Sequence, residues 1–367
     1  MDLKLDESSV REMIGDLTNF YGTDCDITEY YLKKKHERVG ETFDTDILFN
    51  DFKMSPSEMD LSIEVIDSNV FNRCTTHIAT FPIESQIGRR ITIGVKENNT
   101  NKYVGFIRLA SPVSSIKPRN NFFGKSLQLN TVNDHIYNGQ TIVPVQPFGF
   151  NYLGGKLLSL VCISNEVREL WNKNYNTNIL LFETTSLYGN SKSSSMYDGL
   201  EPYIRFMDLT ESKNLLFPND EVYYKVRDLC REHYGIDEYD GMLVPKKGSS
   251  PKTREFTKVL SILKHHLTTE EKNLFNKFIK ENMESKEQKR FYMSTMGFKN
   301  VKEHILNGDP LVEDNRSNYD LSNLIQYWKN KSQKRYDKLL LNNTIKTDLE
   351  VYTKPIIEQG LKFKVIR

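Results

Sequence analysis

One segment of the chain combines an apolar run with a dense set of polar side chains. Ile179–Phe182 is apolar, Glu183 closes the run, and hydroxyl residues follow at Thr184, Ser186 and Tyr188. A carboxylate at the end of a buried strand loses hydration, which raises its pKa and suits it to general base catalysis or metal binding. We therefore predict that the functional site lies here. The alternative is that Glu183 is a structural carboxylate that accepts hydrogen bonds.

Other residues extend this candidate catalytic set. Tyr197 follows a serine-rich stretch and could act as a nucleophile or an acid, while the hydroxyls of Ser186 and Tyr188 could hydrogen-bond a substrate or hold a phosphate. His135 with Glu183 would make a divalent-metal pair, and a surface histidine is the simpler interpretation.

Two further positions could hold a phosphate. Gly154, Gly155 and Lys156 open an amphipathic helix predicted over residues 153–174. Bare amides at a helix N-terminus bind phosphate and Lys156 adds charge, but the two glycines would equally permit close helix–strand packing. Arg119 lies in a segment predicted to be an exposed loop, where it could clamp a phosphate or stay solvated.

The net charge of +1 conceals an asymmetry along the chain. Residues 1–240 hold 25 Lys and Arg against 34 Asp and Glu, whereas residues 241–367 hold 25 against 15. Within Trp328–Lys338, aromatic side chains alternate with the cations Lys329, Lys331, Lys334 and Arg335. This pattern is typical of nucleic-acid contact, and also of an amphipathic helix that packs Trp328 and Tyr336 inward.

The periodicity predicts an α/β protein in three parts: an N-terminal helical segment (1–70), an α/β core (71–218) and a basic, mostly helical C-terminal region (219–367). The predicted strands of the core are Thr75–Phe81, Arg90–Val95, Tyr103–Leu109, Thr141–Phe150, Asn178–Thr184 and Tyr203–Asp208. The C-terminal helices are predicted over 219–234, 251–266, 268–292, 300–307, 318–341 and 354–360.

Several classes of protein are disfavoured by composition. No apolar run approaches the ~20 residues of a membrane helix, and residues 1–16 lack the apolar core of a secretory signal. Four scattered cysteines predict reduced thiols rather than a zinc site or disulfides. We expect a cytoplasmic protein, in the host bacterium if a phage encodes it.

The order of elements resembles the GCN5-related N-acetyltransferase fold, a mixed sheet whose fourth and fifth strands splay apart to admit the ligand. Within that fold, the chain resembles the Druantia anti-phage defence protein A family of bacteria, mobile elements and phages. The resemblance rests on GFIRLASP (105–112), RNNFFG (119–124), IYNGQTIVPV (136–145), LGGKLLSL (153–160) and FETTSLYGNSKSSSMYDGL (182–200). In the acetyltransferase turn that binds coenzyme A, Asn151 here replaces Gln or Arg, and Lys156 replaces a small residue.

Three functions are compatible with these features. The resemblance, the basic C-terminal region and the altered turn favour a DNA-acting phage or mobile-element protein, in its sharpest form a strand-nicking endonuclease that uses Mg²⁺ or Mn²⁺ at Glu183. One alternative is an acyltransferase that uses acetyl-coenzyme A, with Glu183 as base and Tyr188 or Tyr197 as acid. Another is a non-catalytic DNA-binding subunit with protein partners in a defence or replication complex.

Overall fold

The chain folds into two compact units. The computed structural model describes residues 6–22, 34–80, 88–186, 195–210, 214–241, 251–285 and 288–360. One unit combines residues 1–37 with 212–287, and the other combines 38–211 with 288–367. The three predicted parts do not coincide with these units, because the C-terminal region is shared between both.

A seven-stranded mixed sheet forms the framework of the second unit. The strands of the described chain are β1 (Leu61–Val65), β2 (Arg90–Glu97), β3 (Lys102–Ala110), β4 (Ile136–Pro144), β5 (Leu181–Ser186), β6 (Arg205–Leu209), β7 (Asn214–Leu215), β8 (Glu284–Ser285) and β9 (Arg290–Ser294). The order across the sheet is β1-β2-β3-β4-β5-β9-β6, while β7 pairs with β8 separately. Only the β4–β5 pair is parallel among the described strands. The predicted α/β class is confirmed.

The central strands β4 and β5 separate after a short contact. Ile136–Asn138 pairs with Leu181–Glu183, and no further pair joins the two strands. Beyond that point β4 continues beside β3 as far as Pro144, and β5 continues beside β9 as far as Ser186. The sheet therefore opens into a wedge at its centre.

The helices of the described chain are α1 (Glu7–Tyr21), α2 (Ser68–Ile78), α3 (Lys117–Phe123), α4 (Leu129–His135), α5 (Phe148–Asn151), α6 (Gly154–Cys162), α7 (Asn165–Tyr175), α8 (Asp220–Tyr234), α9 (Ile236–Gly241), α10 (Pro251–His265), α11 (Thr269–Phe278), α12 (Val301–Asn307), α13 (Leu321–Leu341) and α14 (Lys354–Glu358). A π-helical turn, Ile279–Met283, follows α11, and a 3₁₀ turn, Arg316–Tyr319, precedes α13. No helix in the described part of the chain has the length and apolar character that a membrane crossing requires.

Helices cover both faces of the sheet. On one face α6 packs so closely that a Cβ on Gly105 of β3 would come within 2.6 Å of the Leu158 side chain. On the other face α2 contacts β3 through the rings of Phe71 and Phe106, whose centroids are 6.5 Å apart. We refer to these as the α6 face and the α2 face.

Several local predictions were wrong, and three of them have an identifiable reason. Thr75–Phe81 was predicted as a strand, but its described part continues α2, because Phe71, Cys74 and Ile78 bury one helical face. The segment before β4, predicted as a loop, contains α3. The predicted helix 268–292 ends near Met283, and strand β9 begins at Arg290.

Helix α13 belongs to the sheet unit. Trp328 is fully buried, and its indole Nε1 donates to the carbonyl of Tyr152 at 2.8 Å. Ser332, one turn later, donates to the same carbonyl at 2.8 Å. Tyr336 is also buried and donates to the carbonyl of Lys53 at 3.0 Å. The basic C-terminal helix is therefore part of the core.

The first unit is helical and has its own apolar core. Helices α1, α8, α10 and α11 contribute to this core. Asp6 caps α1 by accepting from the amide of Ser9 at 2.7 Å, and a Thr268–Glu271 capping box begins α11.

Replacing Trp328 by Ala should destabilise the protein by about 3–5 kcal/mol, because it leaves a large cavity between α13 and α6. Urea denaturation measures this loss. Lys338→Ala, at an exposed position of the same helix, should stay within about 0.5 kcal/mol of wild type. Equal stability of Trp328→Ala and wild type would contradict this packing.

Candidate functional site

The polar residues at the centre of the sheet divide between its two faces. Successive side chains of a strand point to opposite sides. On β5, Glu183 points to the α2 face, where it meets Arg119 of α3. Thr184, the next residue, points to the α6 face, where it meets Tyr197. The structure therefore separates Glu183 from the hydroxyls with which the sequence associated it.

Glu183 and Arg119 form a buried ion pair. The guanidinium Nη1 lies 3.0 and 3.1 Å from the two carboxylate oxygens, and the side chains are 3% and 1% exposed. The Nη2 atom donates to the carbonyls of Val113 and Ser114 at 2.7 and 2.9 Å. The prediction that Arg119 is exposed was therefore wrong: α3 turns it inward, onto acceptors of the protein itself.

Two opposing effects act on the carboxyl group of Glu183. Burial in an apolar cluster that includes Leu181, Phe291 and Met293 raises its pKa to about 7, and the charge of Arg119 limits that rise. The carboxylate thus depends on Arg119 for its ionisation at neutral pH.

The residues predicted to bind metal do not converge. His135 precedes Ile136, which pairs with Leu181, so it lies roughly 10 Å along the strands from Glu183. Its Nδ1 contacts the carbonyl of Asn178 at 2.9 Å. Among the described residues, no group of three His, Cys, Asp or Glu side chains could hold a metal ion. A metal held by Glu183 and His135 does not fit this geometry.

The α6 face of the wedge carries a cluster of hydroxyls. Thr184 Oγ1 donates to the carbonyl of Gly139 at 2.8 Å and lies 3.3 Å from the hydroxyl of Tyr197. Ser186 points to the same face, and all three side chains are buried. Burial raises the pKa of Tyr197 above its usual value. Tyr188, the remaining predicted hydroxyl, lies outside the described residues.

Three residues that were not predicted complete this cluster. Tyr292 of β9 donates to Asp198 Oδ1 at 2.8 Å, and Arg290 Nη1 lies 2.9 Å from Asp198 Oδ2. Tyr292 pairs across the strands with Thr184, and Arg290 pairs with Ser186. Burial raises the pKa of Tyr292 to about 12. The Tyr292 hydroxyl and the Arg290 guanidinium thus both donate to the Asp198 carboxylate.

The glycine turn before α6 is filled by protein. A Cβ on Gly154 would meet the ring of Phe148 at 2.6 Å, and one on Gly155 would meet Met196 at 2.8 Å. The Lys156 ammonium donates to the carbonyls of Met196 and Asp198. These contacts pack the helix and hold the turn at 195–198, which accounts for both glycines and for Lys156 without a bound cofactor.

The predicted nucleic-acid residues lie on α13 with unequal exposure. Lys329 is half-buried, with its ammonium 3.3 Å from the carbonyl of Ser57. Lys334 is exposed, while Lys331 and Arg335 are half-buried beside the rings of Tyr327 and Phe150. The predicted alternation of aromatic and basic residues is real, but Trp328 and Tyr336 face the core.

Comparison with known families identifies the central part of the chain. Residues 23–192 match the model of the family described as Druantia protein DruA. This region is a DruA region. The predicted resemblance to this anti-phage defence family is confirmed over the matched residues, and the family implies a role in anti-phage defence. No curated protein matches the chain significantly.

The DruA region and the polar clusters overlap only in part. The match spans β1 to β5 and includes Arg119, Glu183 and Thr184. It ends before Tyr197 and Asp198, and before the strand that carries Tyr292. The α6-face cluster is therefore completed by residues outside the matched region.

Removing one member of the buried ion pair should cost about 3–5 kcal/mol, because Arg119 would be left as an unpaired buried charge, or Glu183 would have to take up a proton without its partner. We expect this for Arg119→Met and for Glu183→Leu, and a much smaller loss for the double variant. Lys354→Met, which breaks an exposed pair with Glu41, should cost at most about 1 kcal/mol. Additive losses in the double variant would contradict the pairing.

The same pair predicts a pH dependence. Arg119 lowers the pKa of Glu183, so the attraction stabilises the fold when the carboxyl is ionised and is lost as the pH falls through about 7. The difference in unfolding free energy between wild type and Arg119→Met should therefore widen from about pH 5 to about pH 8. A constant difference would show that Glu183 does not titrate in this range.

Proposed function

We propose that this protein acts on DNA in anti-phage defence, binding the sugar–phosphate backbone along α13 and cutting one strand at the α6-face cluster. The observation that carries the proposal is the basic stripe on α13, formed by Lys331, Lys334, Arg335 and Lys338. In the described part of the chain, none of these four cations forms an ion pair.

Helical geometry gathers these charges on one side. Lys331, Lys334 and Lys338 follow one another at spacings of three and four residues, which places them in one row over roughly 10 Å. Trp328 and Tyr336 hold the opposite side of α13 in the core. A row of unpaired cations on a rigid helix favours contact with a polyanion.

This arrangement favours contact with phosphates over recognition of bases. Phosphate contacts position a protein on DNA without reading its sequence, and they make the affinity strongly dependent on salt. The aromatic side chains that base stacking would require, Trp328 and Tyr336, are buried. We therefore expect binding with little sequence preference.

The α6-face cluster supports a cutting reaction that needs only protein side chains. Asp198 accepts a hydrogen bond from Tyr292 and would take its proton as the tyrosine oxygen attacks phosphorus, and Arg290, which pairs with Asp198, would add positive charge beside the phosphate. A bond forms between phosphorus and Tyr292 while the bond to one sugar oxygen breaks. The proton passes through Asp198 to that departing oxygen, leaving a nick with one DNA end on Tyr292.

Acyl transfer remains a second candidate because β4 and β5 part beyond Asn138 and Glu183. An acetyltransferase-like sheet would admit its cofactor at such a wedge. The filled turn at Gly154 and Gly155 weighs against it, and we place this candidate second.

Reversing the charge of Lys331, Lys334 and Lys338 to Glu should abolish DNA binding. Loss of three phosphate contacts should weaken affinity at least 100-fold near 0.1 M salt and lower the salt slope by about 3, as measured by fluorescence anisotropy on a labelled duplex. The matched control reverses Lys125, Lys173 and Lys302, which lie elsewhere on the sheet unit. Equal weakening by both triple variants would contradict a specific α13 contact.

Purified protein should convert supercoiled plasmid to nicked circles, and Tyr292→Phe and Asp198→Asn should each reduce that rate at least 100-fold, about the contribution of a positioned base. Tyr203→Phe should nick as wild type does. Nicking that requires Glu183 and added Mg²⁺ but not Tyr292 would move the reaction to the α2 face. Saturable binding of acetyl-coenzyme A without nicking would favour acyl transfer.

A further inference from the structure

Two cations of the sheet unit lie against one aromatic ring beside the α13 stripe. The Arg335 guanidinium and the Lys346 ammonium are 4.6 and 4.9 Å from the centroid of the Phe150 ring. The two charges are therefore within about one Debye length, ~10 Å, at 0.1 M salt. Like charges this close repel each other, and an anion between them removes that repulsion.

Lys346 is held in place by the residue that follows Phe150. The fully buried Asn151 donates from Nδ2 to the carbonyl of Lys346 at 2.7 Å and accepts from its amide at 3.1 Å. A second tie follows at Glu350, whose amide donates to the carbonyl of Gln146. The backbone under the Lys346 side chain is thus fixed at both of its polar groups.

Arg335 has hydrogen-bonding capacity that the protein does not use. Its Nε is buried without an acceptor in the described structure, and it forms no ion pair there. An arginine side chain carries five N–H donors in a planar fork that matches phosphate geometry. The Phe150 ring restrains the guanidinium by a cation–π contact.

In the described residues, neither cation forms an ion pair with an acidic side chain. Glu350 interacts electrostatically with Lys346. Burial raises the pKa of the Glu350 carboxyl, and the Lys346 ammonium opposes that rise. No ion pair links Glu350 to Lys346 or Arg335 in the described residues. Lys331, one helical turn before Arg335, adds a further positive charge.

We propose that Arg335 and Lys346, mounted on Phe150, form a binding site for a phosphate group of the DNA backbone. The inference rests on the proposed function in taking DNA as the source of that phosphate. The site extends the α13 stripe sideways onto the turn before α6. It also gives Asn151 a role, because Asn151 fastens Lys346 where the acetyltransferase turn would carry Gln or Arg.

The test is DNA binding by single variants, measured by anisotropy with a labelled duplex of arbitrary sequence over a range of salt concentrations. Lys346→Met and Arg335→Met should each bind roughly fivefold to tenfold more weakly at 0.1 M salt, with a salt slope lower by about 1. Asn151→Ala should weaken binding in the same direction because it releases Lys346. Lys173→Met, on the exposed end of α7, is the control and should bind as wild type does.

The outcomes separate this inference from the proposed function. Wild-type affinity and salt slope in both Lys346→Met and Arg335→Met would overturn the site, whereas the triple reversal on α13 tests DNA binding independently. The variant at Lys346, which is not buried, decides the result if Asn151→Ala fails to fold. Binding of coenzyme A or pyrophosphate that Lys346→Met abolishes, in a protein that does not bind DNA, would overturn the DNA assignment.

Discussion

The alternation of side chains along β5 is the constraint on which the rest of the site depends. Because neighbouring residues leave a strand on opposite faces, Glu183 and Thr184 cannot act on one substrate from the same side. Glu183 joins Arg119 in an ion pair that stabilises the α2 face. Thr184 joins the tyrosines and Asp198 on the α6 face. One polar segment of sequence thus contributes an ion pair to one face of the sheet and the proposed reacting cluster to the other.

The C-terminal residues complete the α6 face. Strand β9 enters the sheet between β5 and β6 and brings Arg290 and Tyr292 to the wedge. Helix α13 packs through Trp328 on α5 and the turn before α6, and its cations Lys334 and Lys338 are exposed. The part of the chain that matches the DruA family ends at residue 192, so the proposed DNA surface and reacting groups combine that region with elements that follow it.

Much of the framework could be predicted from local patterns. The β2–β3 hairpin, the apolar strand before Glu183 and the helix at 321–341 follow from periodicity, which short segments carry by themselves. The burial of Arg119 could not be predicted, because a polar segment after proline resembles a loop until its partner, 64 residues away, is known. Strand β9 could not be predicted for a similar reason. Its five residues follow a charged helix and form too short a pattern to be distinguished from that helix.

The contacts that assemble the proposed sites join residues that are distant in sequence. Asn151 and Lys346 are 195 residues apart, and Asp198 and Tyr292 are 94 apart. The sequence around each of these residues does not indicate which distant residue it will contact. The available indication in the sequence was that Asn151 differs from the Gln or Arg of the acetyltransferase turn. That difference predicted an altered phosphate site but did not show which residues would form it.

Site-specific photo-crosslinking can show directly whether DNA lies along the outer side of α13, as proposed. A photoreactive phenylalanine would replace Lys338 on α13 in one protein and Lys173 on α7 in another, each irradiated with a labelled duplex. We expect a protein–DNA adduct at position 338 that disappears at high salt, and none at position 173. An adduct at 173 with none at 338 would contradict it.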